Sequence, residues 1–525
     1  MPNGYIIRMR EDDMMKKYDV IVIGTGSGNI ILEEALKKGL SCAQIERDKF
    51  GGTCLTRGCI PTKVMVTAAD RLYEIEDAQA LGIKADKPEV DWETIGRRVW
   101  QKIDESKDLR DFYLQEDNLD VYEGEAYFTG NHSLKVRLNA GGESEEITAP
   151  KIFVGVGGRT KVPAIEGLDK VPYATSEDFF GEGWPTEPYK DVIVIGGGAI
   201  GCEFAHIFRA FGARVQLVQH NVRLLPKSDA ELSAALLHNF KLDGITVYLN
   251  KETPSARPDG DGVVLTIRDR ADDSLTDIRA DLLFICPGIV PNSDRLGLEN
   301  TDITVNDRGW IPTNEFLETS VPGVYAFGDI NGLHQFRHKA NYEADILAYN
   351  HFLAKSETDR RWARYDNVPA VTYTHPEVAD VGLSEEAAEK AGHRVRIGRW
   401  HYYETAKGFA LGYTPDSDRK AFAKLIIDAA SGNILGMHAI GPYASTLIQP
   451  YVNLMNAGDT PLVPLHPEIA SPDVKKWRSL SLVRDMNPHN WRTVRETMVP
   501  HPALSEVGIW TYYDLEEQAD KNKPE

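Results

Sequence analysis

The chain has 525 residues, 42% of them hydrophobic, with 44 glycines, 5 cysteines and a formal net charge of −20. That length supplies two to four domains with a large core. The composition excludes a disordered chain, the few cysteines exclude a disulfide scaffold, and the acidic balance disfavours nonspecific nucleic-acid binding.

The opening MPNGYIIRMREDDMMKK has neither the apolar core nor the small-residue cleavage site of a secretory leader. It reads as an N-terminal extension over 1–17. No uninterrupted apolar run of about 20 residues offers a membrane span, so a cytoplasmic protein is expected. YDVIVI, from Tyr18, has the β-branched character of a buried strand. GTGSGN then supplies a turn, NIILEEALKKGL a helix, and SCAQIE a second strand ending at Glu46. Gly24 and Gly26 allow a tight turn and close approach of a pyrophosphate to the helix N-terminus. Glu46 lies 20 residues past Gly26, at the place where a carboxylate accepts from ribose hydroxyls. Asn29 stands where the third glycine of the pattern belongs.

The design returns in DVIVIGGGAIGCEFAHIFRAFGARVQLVQH, residues 191–220, with Gly196, Gly198 and Gly201 in the turn. The ribose-facing position holds Gln219, followed by His220. A glutamate there favours an unphosphorylated ribose and an arginine a 2'-phosphate. Gln219 does neither strongly, so the choice between NADH and NADPH stays open, leaning to NADPH because no acid repels the phosphate. Two dinucleotides in one chain point to electron transfer between a nicotinamide and a flavin.

Gly183, Trp184 and Pro185 read as a linker, and residues 256–276 as hairpins and surface loops. VYAFGDI, at 324–330, reads as a strand entering a Gly-Asp turn, returning the chain to its first domain. FAKLIIDAASGNILGMHAIG reads as strand, turn, strand, and LIQPYVNLMNAG as a helix. Residues 461–493 look like an excursion from a compact domain, and 516–525 a flexible tail. The expected domains are 18–175 with 300–365, then 176–299, then 366–515.

KFGGTCLTRGCIPTK, residues 49–63, raises three possibilities: metal site, static disulfide and redox pair. A structural zinc needs four ligands, but Cys42, Cys202 and Cys286 are scattered singly and read as small core residues. No metal is expected. A static disulfide does not suit a cytoplasmic chain. In a redox pair, Gly51 and Gly52 start a helix, and the five-residue spacing places Cys54 and Cys59 on adjacent turns. The helix start lowers a thiol pKa. Pro61 and Thr62 would bend the chain and turn Lys63 inward.

GGTCLTRGCIPTK resembles the redox-active signature of the class I flavoprotein pyridine-nucleotide disulfide oxidoreductases. YAFGDI, VTYTHPEVADVGLSE, GNILGMHAIG and HPALSE resemble further motifs of that family in the family's order, from Tyr18 to about Gly508. The resemblance implies an α/β fold: two Rossmann-like domains of three layers, binding FAD and NAD(P), and a C-terminal α+β dimerisation domain. It implies that Cys54 is the interchange thiol and Cys59 the thiol beside the flavin, with Lys63 near flavin N5 and paired to Glu203. Asp329 would contact the ribityl chain and Glu46 the adenosine ribose. Gly24, Gly26, Ser27, Gly28, Gly52, Thr53, Ala126 and Gly328 complete the implied FAD contacts. Gly196, Gly198, Ala199, Ile200, Glu203, Gln219, His220 and Gly288 are those of NAD(P)H. His501 and Glu506 resemble an acid–base dyad supplied by the partner subunit of a homodimer.

On its own chemistry His501 can titrate near neutral pH and shuttle a thiol proton, while a carboxylate fixes its tautomer. His466 in LHPEIAS is a rival, but the residue five further along is Ser471 rather than an acid. His375 reads as structural, and His338 as near the flavin without a chemical role. No cysteine follows Cys286, so the C-terminal thiol pair of mercuric reductase is absent. IGTGSGN, HKANYEA, ASTLIQP and HPALSE most resemble mycothione reductase. Ala199, Gln219, Ile289 in an arginine-like place and the 461–493 insertion depart from common patterns. The expected substrate is a small mycothione-like disulfide, with dihydrolipoamide the alternative.

Overall fold

The computed structural model describes residues 15–86, 88–488, 493, 496–503 and 506. Most of the N-terminal extension and the whole of the tail therefore lie outside the described residues. The fully buried strand Val20–Ile23 sits between Cys42–Glu46 and Lys151–Val154, parallel to both. Leu119–Gly130 and Val324–Ala326 extend this sheet on its two sides. The strands are continuous Val/Ile runs because helices cover the sheet. Val20, Val22 and Phe153 pack against Ile31 and Leu32 of the helix Gly28–Lys37, and against Ile346 and Leu347 of the helix Arg337–Ala348.

The second unit is a five-stranded parallel sheet centred on Asp191–Ile195. Its far edge is Tyr173–Ala174, paired with Leu282–Ile285. The boundaries therefore differ from those expected. The link between units is a two-stranded ribbon, Gly158–Thr160 against Ile289–Pro291. Residues 161–175 join the second unit, where Ile165, Leu168 and Val171 enter its core. Residues beyond Pro291 return to the first, where Leu296 is buried. The expected hairpins are the three antiparallel strands Lys251–Asp259, Gly262–Asp269 and Leu275–Ala280, joined by short turns. Nor is 183–185 a linker: Trp184 stacks on Trp92 at 5.2 Å, and Trp92 Nε1 donates to the Pro185 carbonyl.

The third unit is a five-stranded antiparallel sheet containing Phe422–Asp428 and Ile434–Ile440, backed by the helices Ala444–Leu447 and Gln449–Asn456. The 461–493 excursion is ordered over its described part. Gly458–Pro461 pairs with Val483–Met486, and between them Ser471 caps the helix Pro472–Ser479 through the Val474 amide. Val474, Trp477 and Leu482 pack on Phe316 and Trp362 of the first unit. Arg478 makes a two-pronged pair with the buried Glu315, at 2.6 and 2.7 Å. The chain end is thereby tied to its own first unit. Glu496 meets Arg361 and Arg484 at 3.0 and 3.3 Å, and Met498 is buried beside Tyr342.

Candidate active site

The first glycine turn is a groove with a backbone floor. Gly24 has φ +100°, and a Cβ there would lie 2.5 Å from the Gly155 carbonyl oxygen. Gly52, from the cysteine segment, approaches so closely that its Cβ would meet Gly26 Cα at 2.9 Å. Thr25 joins the two segments: its hydroxyl accepts from the Gly51 amide at 3.0 Å and donates to Glu46 at 2.6 Å. Glu46 thus ends its strand facing the turn, as expected. The irregular third position has a physical explanation. Gly28 makes the close helix–strand contact, its Cβ position 2.8 Å from Val22, while Asn29 accepts from the buried Gln44 at 2.8 Å. Ser27 donates to Asn341, drawing the helix Arg337–Ala348 alongside. This cradle suits the diphosphate of a flavin dinucleotide.

Gly328 and Asp329 open the short turn that follows the strand Val324–Ala326. Burial pushes the Asp329 carboxyl up to about 6. The turn is held by two residues outside the expected set: fully buried Lys339 and Glu343 pair at 3.0 Å. Lys339 donates to the Gly328 carbonyl, and Glu343 accepts from the Gly328 amide. A lysine and a glutamate four apart look like a surface pair in sequence, so nothing local marks them as buried. Ala126 is buried in the strand Leu119–Gly130.

The cysteines do not share one helix. A short helix, Gly52–Thr56, carries Cys54, the chain breaks at Arg57 and Gly58, and Cys59 opens the helix Cys59–Asp77. The break is at Gly58, where a Cβ would meet the Thr53 carbonyl at 2.9 Å. Pro61 sits within the first turn of the second helix and bends nothing, since an amide is not needed there. Both cysteines are free thiols. Lys63 reaches Glu203 at 2.6 Å, as expected, and lies over the Tyr373 ring at 4.5 Å. The Tyr373 amide donates to the other Glu203 oxygen at 3.0 Å. Thr53 lies on the short helix, its carbonyl accepting from the Arg57 amide at 2.9 Å.

His501 Nε2 lies 3.2 Å from Cys54 Sγ, and His501 Nδ1 lies 2.7 Å from Glu506. The carboxylate holds the proton on Nδ1 and leaves Nε2 facing sulfur. Within a single chain His501 therefore reaches Cys54, the contact that the resemblance assigned to a pair of subunits. Cys54 Sγ, Cys59 Sγ and a His501 nitrogen lie within 4.8 Å of one another. Donation from the Cys59 thiol, with Arg337 and Lys63 nearby, holds Cys54 below the usual thiol range despite burial. The same contact and burial push Cys59 well above it.

At the second turn, Gly196 has φ +117° and a Gly201 Cβ would lie 1.7 Å from the Gly196 carbonyl oxygen. Gly198 and Ala199 begin the helix Ala199–Ala210, with Ile200 exposed and Glu203 on its inner side. Gln219 is turned back into the loop. Its carbonyl oxygen accepts from the Gly197 and His220 amides at 3.0 and 3.1 Å, and its amide donates to the Arg223 carbonyl. His220 is exposed, and Arg223 is committed to Glu386 through two 2.9 Å bonds. Gly288, with φ +140°, lies at the ribbon.

His466, His375 and His338 make structural contacts. His466 pairs with Glu468, and its carbonyl accepts from Arg478. His375 pairs with Asp77 and stacks on Tyr73, which also stacks on His206, so the three rings join the three units. His338 is buried, its Nε2 donating to the Pro369 carbonyl.

A family model described as pyridine nucleotide-disulphide oxidoreductase matches residues 18–344, and that family's dimerisation domain matches residues 368–467. The chain is 34% identical over 457 residues to mycothione reductase of Mycobacterium tuberculosis, covering 85% of this chain and 94% of that one. It is 33% identical over 441 residues to dihydrolipoyl dehydrogenase of Zymomonas mobilis, covering 83% and 91%. The HOCl-induced flavoprotein disulfide reductase RclA from Escherichia coli shares the fold, with TM-score 0.70, 24% identity, and coverage of 93% of this chain and 98% of that one. No helix among the described residues is long and apolar enough to cross a membrane. The chain belongs to the pyridine nucleotide-disulphide oxidoreductase family, and is an oxidoreductase that uses FAD and NAD(P)H and carries the family's dimerisation domain.

Proposed function

We propose that the protein reduces a small-molecule disulfide of the mycothione type with NAD(P)H, and that each chain supplies its own acid–base dyad. The contact of His501 with Cys54, backed by Glu506, carries this reading. When bound, FAD supplies the two-electron link between nicotinamide and the cysteine pair. Its diphosphate would lie in the Gly24–Gly28 groove, with Glu46 on the ribose and Asp329 at the ribityl chain. The second turn would hold NAD(P)H, and the Lys63–Glu203 pair would present an ammonium to the flavin.

In the reduced enzyme the Cys54 thiolate attacks one sulfur of the external disulfide, forming a mixed disulfide. The departing thiolate takes its proton from the His501 imidazolium, which Glu506 stabilises. Cys59 then gives its proton to His501 and attacks Cys54 Sγ. The Cys54–Cys59 disulfide forms, and the second thiolate leaves with that proton. Two electrons and two protons thus leave the enzyme with two thiols. The similarity to dihydrolipoyl dehydrogenase supports a second reading, in which dihydrolipoamide runs the same steps backwards.

A steady-state screen of the holoenzyme separates the two. NADH and NADPH are each tried with mycothione, glutathione disulfide, coenzyme A disulfide and lipoamide. Turnover of mycothione or another small disulfide is expected, and turnover of lipoamide alone overturns the first reading. Heterodimers of Cys54→Ser and His501→Ala chains test the dyad. They should remain inactive, whereas recovered activity would place the dyad on the partner.

A further inference from the structure

The basic side chains around the cysteines are nearly all spoken for. Lys63 is held by Glu203, Lys339 by Glu343, and Arg57 by Asp48 and Glu177. Arg337 differs. It is half-buried and has neither a hydrogen-bond nor an ion-pair partner among the described residues. In a chain of net charge −20 such a cation is poorly satisfied without an anion.

Its position names the anion. Arg337 is the first residue of the helix Arg337–Ala348, which the Ser27–Asn341 bond holds beside the first glycine turn. That bond engages the second turn of the helix, and the Arg337 side chain spans the distance from the helix start to the glycine turn. Arg337 Nη1 lies 3.4 Å from the position a Gly26 Cβ would take. A guanidinium presents paired donors that match two phosphate oxygens. We infer that Arg337 binds the diphosphate of FAD from the side opposite the Gly24–Gly28 turn. The same side chain also lies close enough to Cys54 and Asp329 to favour their anionic forms. One residue therefore couples cofactor retention to the charge of the dithiol.

The test uses full-length Arg337→Gln and Arg337→Lys. The protein is stripped of FAD, and ADP or adenosine competes against FAD rebinding, followed by flavin fluorescence. In the native chain ADP should outcompete adenosine. Arg337→Gln should weaken ADP about tenfold or more while leaving adenosine unchanged, since one charge-assisted contact is lost. Arg337→Lys should recover part of the loss and release FAD at lower salt than the native chain. Unchanged ADP affinity, or equal weakening of ADP and adenosine, overturns the inference. So does an altered flavin absorption spectrum with undiminished FAD affinity, which would place the contact at the ring. Equal unfolding temperatures of the apo forms establish that the variants fold.

Discussion

The two glycine turns share one plan and end differently. The first is open to its ligand: Glu46 faces it from the next strand, an unpaired Arg337 stands over it, and the cysteine segment rests on Gly26. At the second, Gln219 occupies the position matching Glu46, and each accepts from the amide of its own turn, Gln219 from Gly197 and Glu46 from Thr25; the difference is that Gln219 carries no charge and Arg223 is spent on Glu386. The first turn suits a ligand that stays, with charge on both sides. The second suits one that comes and goes, held by backbone and helix end with little side-chain reading of the ribose.

The sharpest way to break that contrast is to fill each turn. Gly201→Ala drives a Cβ into the Gly196 carbonyl, only 1.7 Å away. It should reduce NAD(P)H-driven flavin reduction at least a hundredfold while FAD stays bound. Gly28→Ala meets Val22 at 2.8 Å and should instead release FAD. Stopped-flow reduction and flavin content after gel filtration check the pair, and equal FAD loss in both would erase the distinction. A smaller effect follows from Gln219→Glu. A carboxylate would accept from ribose hydroxyls and repel a 2'-phosphate, shifting the ratio of kcat/KM for NADH over NADPH upward by about tenfold. No change would mean that the ribose is read elsewhere.

The mildest effect concerns pH. Cys54 is held below the ordinary thiol range, so its reactive thiolate should appear at lower pH than in a free cysteine, whose pKa is about 8.5. Alkylation of the reduced enzyme by iodoacetamide should rise with pH and level off below that value. Arg337→Gln removes a nearby cation, so the rise should move to higher pH. A native profile rising only near 8.5 would contradict this.

Local pattern sufficed for much of this architecture. The strands at Val20–Ile23 and Asp191–Ile195, their glycine turns, and the Lys63–Glu203 pair follow from periodicity and from ordered motifs. What escaped depends on distant contacts. The ribbon that sets the domain boundary pairs Gly158–Thr160 with Ile289–Pro291, more than a hundred residues apart. Gln219 folds back onto the Gly197 and His220 amides of its own loop. Lys339 and Glu343 read as a solvated pair until the Gly328 turn covers them. The docking of the helix Pro472–Ser479 likewise depends on distant partners, Trp477 meeting Phe316 and Arg478 meeting Glu315.

Anaerobic titration of the holoenzyme with NAD(P)H, followed by thiol counting, tests the path of electrons most directly. The native protein should gain two titratable thiols per chain. Cys59→Ser should still accept hydride yet gain none. A native protein whose flavin is reduced while its cysteines gain no thiols would contradict the assignment of Cys54 and Cys59 as the route to an external disulfide.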